Sequence, residues 1–147
     1  MTQSFAMAWA CVLGLLVGSF VNVLIHRLPR MVMAELSADN GTQRFDLCWP
    51  ASHCPHCQTP LKLWHLVPVL SYLGLKGRCG FCQHPIGRLY PLIEIATACT
   101  WVACVWHWGF NPTGLSWALF ATLLMALSVI DWQTTLLPDD LTQALVC

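Results

Sequence analysis

Four of the nine cysteines in this 147-residue chain fall into two C-x-x-C pairs, Cys54-Pro-His-Cys57 and Cys79-Gly-Phe-Cys82. Four thiolates complete a tetrahedral shell around zinc, and such closed shells are structural rather than catalytic. Residues 58–78 separate the pairs, slightly more than the usual zinc-ribbon spacing. A polar loop with little core of its own needs a staple of this kind. A second chemistry competes for the same residues. Taken alone, the first pair has the form of a thioredoxin-class dithiol, in which a low-pKa thiolate carries out disulfide exchange. That site needs a βαβ frame, which the surrounding residues do not supply, and the second pair together with a reducing compartment favours metal. Cys48 is left over as a free thiol. His53, His56 and His84 flank the pairs and read as solvated loop residues before further ligands. Cys11, Cys99, Cys104 and Cys147 lie in apolar stretches, where cysteine serves as a small polarizable filler.

The acids suggest another chemistry. Asp131 ends an apolar run and faces a short segment carrying Asp139 and Asp140. Carboxylates at a low-dielectric boundary hold protons more tightly, the more so beside another carboxylate. Two such groups sharing one proton can activate water for peptide hydrolysis. The plainer alternative is that Asp131 marks the membrane edge. Glu94 sits one turn into another apolar run, and ionisable groups in spanning segments are costly enough to point to function. Ser19, Asn22 and His26 recur at steps of three and four, so they share one helix face. With Gly14 and Gly18 they suggest a contact face of small residues with a polar tie, serving packing or lining a cavity. His107 lies at a span boundary and reads as solvated.

The elements that must position these groups follow from composition. The chain is 56% hydrophobic and 10% charged, with eight Trp and a mean hydropathy of +0.59. Soluble domains carry about a quarter charged residues, so an ordinary soluble domain is excluded, and disorder with it. The nine Gly and nine Pro exclude a coiled coil. Net charge is zero, which gives no broad attraction to nucleic acid. All Lys and Arg lie between residues 27 and 88. Residues 5–25 carry no charge, and about 20 apolar residues cross a hydrocarbon core of roughly 30 Å. Basic residues follow this run instead of preceding it, which predicts a retained helix and not a cleaved signal peptide. The positive-inside bias then places residues 1–4 in the periplasm and residues 26–89 in the cytoplasm as a four-cysteine zinc-binding loop. Within it, the apolar stretch 63–75 is interrupted by Pro68 and Gly74 and reads as an interfacial piece. Residues 90–108 and 115–131 form two further spans, joined by a periplasmic turn at 109–114 (GFNPTG). Trp106, Trp108 and Trp117 are expected at the outer interface, and Tyr90 and Trp132 at the inner one. Residues 132–140 return to the cytoplasm, and 141–147 open a fourth helix, so the chain is expected to be the N-terminal part of a longer protein. No internal repeat is evident. The expected fold is an all-α polytopic membrane protein with a small zinc-ribbon-like cytoplasmic loop.

Five segments, in order along nearly the whole chain, resemble those of the prepilin leader peptidases of type IV pilus and type II secretion systems. They are GSFVNVLIHRLP (18–29), the two Cys pairs, VPVLSYLGLKGRC (67–79), RLYPLIE (88–94) and IDWQTTLLPDDLT (130–142). The resemblance implies a bacterial inner-membrane aspartic protease that removes the leader of prepilins or pseudopilins at the cytoplasmic face. It also implies N-methylation of the new N-terminus with S-adenosylmethionine. By the same resemblance Asp131 is the first catalytic aspartate, Asp139 a motif aspartate that helps position the loop, and Cys54, Cys57, Cys79 and Cys82 hold Zn2+. The family's second catalytic aspartate belongs to a G-x-G-D motif, and no such motif occurs in these 147 residues. The chain alone is therefore expected to have little or no protease activity and to require a C-terminal remainder. No Gly-rich turn marks a methyl-donor site. Two other readings stand beside this one. One is a membrane-anchored zinc module that binds a secretion or pilus assembly partner without catalysis. The other is a membrane dithiol oxidoreductase with a Cys54–Cys57 disulfide.

Overall fold

A computed structural model describes residues 3–36, 53, 54, 56–60 and 67–134. These form four helices, α1 (Gln3–Leu36), α2 (Leu70–Gly74), α3 (Leu89–Trp108) and α4 (Pro112–Thr134). Helices α1, α3 and α4 are each long and apolar enough to cross a membrane. Among the described residues there is no strand, only isolated bridges pairing His53 with Pro60 and Arg78 with Pro85. The protein is thus an all-α polytopic membrane protein with a small cysteine module.

Helix α1 outruns its expected span. It continues past Ile25, through Pro29, to Leu36, a length of about 50 Å at 1.5 Å per residue. Charge marks where the apolar stretch ends, but Arg, Met, Ala and Glu all favour helix, so the helix itself does not stop at Arg27.

The helices meet through small residues. Helix α1 packs most extensively on α3, and α4 packs on both. A Cβ on Gly14 would stand 2.7 Å from the Cα of Ala98, and one on Gly18 would stand 2.8 Å from the Cα of Glu94. The two glycines four residues apart thus let the backbones of α1 and α3 approach closely, the device expected where lipid offers no hydrophobic drive for helix association. Gly18→Leu should separate α1 from α3, at a cost of about 1–3 kcal/mol from overpacking. The check is the detergent midpoint followed by tryptophan fluorescence, since Trp101 lies against Gly14. Gly74→Ala, which meets nothing within 4 Å, is the control, and equal midpoints for the two variants would contradict the close approach.

Apolar contacts fill the remaining interfaces. Val21, Ile25 and Leu28 pack with Ile93, Ala126, Leu127 and Ile130 at one end, and Ala6 and Ala10 pack with Val105 at the other. Between them, Cys104 lies buried with Trp101 and Ala118, the filler role expected of it. Trp101 Nε1 donates to Thr122 Oγ1 at 3.1 Å, tying α3 to α4. The connection is tight because Gly109, at φ 82, ends α3 and Asn111 caps α4. The Asn111 Oδ1 accepts from the Gly114 N–H at 2.9 Å, with Pro112 at the first helical position, where a missing N–H costs nothing. Trp108 stacks on Trp117 at 5.5 Å beside this turn. Trp106 is exposed at the same end, and Trp132, 90% exposed, lies at the opposite end.

Candidate metal centre and adjoining cavity

Two short turns of equivalent construction carry the four cysteines. In the first, the Cys54 N–H donates to the Thr59 carbonyl at 3.1 Å and the Gln58 N–H to the Cys54 carbonyl at 2.8 Å. In the second, the Cys79 N–H donates to the His84 carbonyl at 2.9 Å and the Gln83 N–H to the Cys79 carbonyl at 3.0 Å. Gln58 and Gln83 both stand at φ 58, the left-handed conformation that turns the chain back after the second cysteine of each pair. The segments share the pattern C-x-x-C-Q-x-P (54–60 and 79–85). This corrects the expectation that the chain holds no internal repeat. The unit is seven residues long and shares only Cys, Gln and Pro, and the matching backbone establishes it as a structural repeat.

The turns bring the four Sγ atoms within 4.8 Å of one another, and Cys54 Sγ lies 3.8 Å from Cys82 Sγ. A tetrahedron with metal–sulfur bonds of about 2.3 Å has edges of about 3.8 Å, so the donor set fits a zinc-sized ion. All four thiols are free, and they converge as a set of four instead of isolating one redox pair. Their titration is uneven. The Thr59 hydroxyl, followed by the Thr59 backbone, pulls the Cys57 thiol down to about 6. The backbone amides of Cys82 and Phe81 lower Cys79. At Cys82 the largest influence, the His84 backbone, favours the thiolate, but desolvation and the neighbouring thiols outweigh it and push the group up to about 11. Four thiolates at this spacing repel unless a cation sits among them, which is the service a bound divalent ion performs. His56 and His84 stack at 4.5 Å on the exposed rim, and neither they nor His53 belong to the converging ligand set.

The module docks against the membrane helices around a cavity of about 490 Å³. Ser19, Asn22 and His26 of α1 line one side, Tyr90 and Glu94 of α3 another, and Cys54 and Cys79 of the module a third. Glu94 is only 9% exposed and accepts from the Val69 N–H at 2.7 Å; Asn22 and Ser19 lie close to the same carboxylate. Asn22 Nδ2 donates to the Tyr90 carbonyl at 3.0 Å, and the His26 ring lies 4.8 Å from that of Tyr90. Val69 holds φ 56, an outlier for a β-branched residue, so the Glu94 bond stabilises a strained entry into α2. The polar face of α1 and the lone acid of α3, legible separately in the sequence, therefore form one cluster. The Val69 amide and the Tyr90 carbonyl are its missed members, since backbone groups leave no mark in residue type. A second, apolar cavity of about 850 Å³ lies beyond the Val67–Leu70 stretch, against residues of α1 and α3 such as Val12, Leu16 and Cys99.

Asp131 is exposed in the last described turn of α4 and lines neither cavity. Asp139 and Asp140 lie outside the described residues, as do Cys48 and Cys147. His107 is exposed and touches the Trp108 ring at 4.5 Å.

Three apolar helices with a four-thiol module docked at one end define a multi-pass membrane protein with a metal-type module. Residues 12–108 match the bacterial peptidase A24 N-terminal domain, and the chain belongs to that family. It is 46% identical to the prepilin leader peptidase/N-methyltransferase of Burkholderia pseudomallei (strain K96243), over 95% of this chain and 49% of the relative. The protein of the same name from Stutzerimonas stutzeri is 41% identical, over 90% of this chain and 49% of the relative. That of Neisseria gonorrhoeae is 37% identical, over 97% and 54%. The chain spans about half the length of the curated relatives it matches. No solved structure matches it.

Proposed function

We propose that this chain supplies the metal module and the first catalytic aspartate of a prepilin leader peptidase/N-methyltransferase in the bacterial inner membrane. The observation that carries this reading is similarity to relatives of that name along nearly the whole chain. In this reading the module and Asp131 face the cytoplasm and the N-terminus the periplasm, which the positive-inside bias supports because Arg27 and Arg30 follow the apolar part of α1. Zn2+ held by Cys54, Cys57, Cys79 and Cys82 fixes the module. Asp131 provides one carboxylate of a water-activating pair, and Asp139 positions the segment that follows it. The second carboxylate comes from sequence corresponding to the other half of the relatives. Once the leader of a prepilin or pseudopilin is removed, S-adenosylmethionine, when bound, supplies a methyl group to the new N-terminus.

The test is expression in cells without their own leader peptidase, with prepilin size followed by immunoblot. The chain alone should leave prepilin uncut, and the chain joined to the C-terminal half of a relative should shorten it. Failure of every such pairing, with the metal bound, would remove the enzymatic reading. A second reading has one observation in its favour: Asp131 is exposed and lines neither cavity. On that reading the protein is a membrane-anchored zinc module that binds a secretion or pilus assembly partner. It requires Asp131→Asn to be harmless and Cys54→Ser to abolish function.

A further inference from the structure

Helix α2 has an apolar and a polar side. Leu70 and Leu73, three residues apart on one face, are 68% and 64% exposed, whereas Ser71, Tyr72 and Leu75 line the polar cavity. No Asp, Glu, Lys or Arg occurs between Lys62 and Lys76. Lys76 and Arg78, just past the helix, are exposed. An apolar face followed by exposed cations has the composition of an element that lies in a membrane surface.

Helix α3 fixes its depth. With 20 residues it is about 30 Å long, the thickness of the hydrocarbon core, so its ends mark the two faces. Glu94 lies five residues beyond Leu89, about 7.5 Å below the nearer face. The Val69 N–H reaches the Glu94 carboxylate at 2.7 Å, so the start of α2 lies near that depth, within the roughly 5–10 Å to which interfacial helices sink. The backbone suits such a place. Pro68 has no N–H, and those of Val69, Leu70 and Ser71 are taken by Glu94, the Pro68 carbonyl and the Val67 carbonyl. None of these donors needs water, which is what non-helical backbone at membrane depth requires. The outward face is also continuous with that of the spanning helices. Leu70 borders the 850 Å³ cavity together with Leu16, Ile95 and Trp106, all of them exposed.

We propose that residues 67–74 form a re-entrant lipid anchor. Leu70 and Leu73 sit among acyl chains, Lys76 and Arg78 stand at the level of the phosphates, and acyl chains fill the apolar cavity beneath. The metal joins the two cysteine turns to each other, and the anchor joins them to the bilayer.

The experiment uses the 147-residue chain, zinc-loaded, in phosphatidylethanolamine/phosphatidylglycerol nanodiscs. A benzophenone amino acid replaces Leu73, Leu119 or Gln83 in turn, and lipid adducts are counted by intact-protein mass spectrometry after illumination. Leu119, exposed along α4, is the reference for lipid, and Gln83, exposed on the module, is the reference for water. Position 73 should give lipid adducts as position 119 does, and position 83 should not. Should the label at 73 cost zinc or helicity, the same label at Leu70 decides. In a second arm, Leu73→Ser should speed tryptic cleavage after Lys76 about tenfold, the scale of returning a leucine from lipid to water, with zinc content unchanged. Adducts at 73 no more frequent than at 83, or an unchanged cleavage rate in the folded variant, overturn the anchor. In the chain joined to the C-terminal half of a relative, the lipid adducts should persist. A switch there from lipid to protein adducts would give this face to the added half and overturn the lipid assignment. No step requires catalysis, so the anchor and the proposed function stand or fall separately.

Discussion

If the four thiols hold zinc as proposed, a chelator should unfold the module while α1, α3 and α4 keep their helicity. The module has no core to fall back on: His53, His56, Gln58, Arg78, Gly80, Phe81, Gln83 and His84 are at least partly exposed, and of its described residues only Cys54 and Cys79 are buried. What holds the two turns together is the convergence of four Sγ atoms, and metal affinity of such sites is folding free energy. The spanning helices satisfy their backbone hydrogen bonds internally and do not depend on the ion. Limited proteolysis within residues 53–88 should accelerate about a hundredfold or more on chelation, because cleavage follows the population of the open form. The far-UV signal at 222 nm should change little. Cys54→Ser and Cys79→Ser should behave alike, since the two turns are equivalent. Proteolysis that proceeds at the same rate with and without chelator would show that the thiols do not hold the module.

The second large effect falls on Asp131. In this chain joined to the C-terminal half of a relative, Asp131→Asn should reduce leader cleavage about a thousandfold or more, the scale seen when one member of a catalytic unit is removed. Unfolding would not account for such a loss. The side chain is exposed, and it sits in the last described turn of α4, where an acid is mildly unfavourable to the helix dipole. Neutralising it should leave stability unchanged or raise it by roughly a few tenths of a kcal/mol. The measurement pairs the processing assay with zinc content and helical signal. Methylation of a peptide already bearing a free N-terminus should persist in the variant. Full cleavage by Asp131→Asn would favour the non-catalytic reading of the module.

Much of this architecture was legible in the residues. Charge-free stretches mark the three spanning helices because hydrocarbon excludes charge, and the C-x-x-C pairs mark the module because few other uses bring four cysteines into one polar loop. Gly14 and Gly18 were legible as a contact face, with α3 as the partner that only the fold identifies. Helix α1 runs on to Leu36, past the apolar span, because hydropathy locates a membrane boundary and not a helix terminus. The repeat of the two cysteine turns is short, with only Cys, Gln and Pro in common, and the shared left-handed backbone at Gln58 and Gln83 makes its equivalence plain. Glu94 stands out in the sequence as a lone acid in an apolar helix. Its use as a clasp on Val69 depends on a backbone amide 25 positions away in the chain, which no spacing rule reaches.

The module lies wholly between α1 and α3 in chain order, so both cysteine turns emerge from the ribosome before α3 does. Domains generally fold as units, the N-terminal one first during synthesis, and a metal-closed knob can form while α1 is the only segment in the bilayer. A closed knob with a polar, exposed surface would resist transfer across the hydrocarbon core. Ion capture would thus act as a ratchet during biogenesis, committing every later helix to a single direction of insertion.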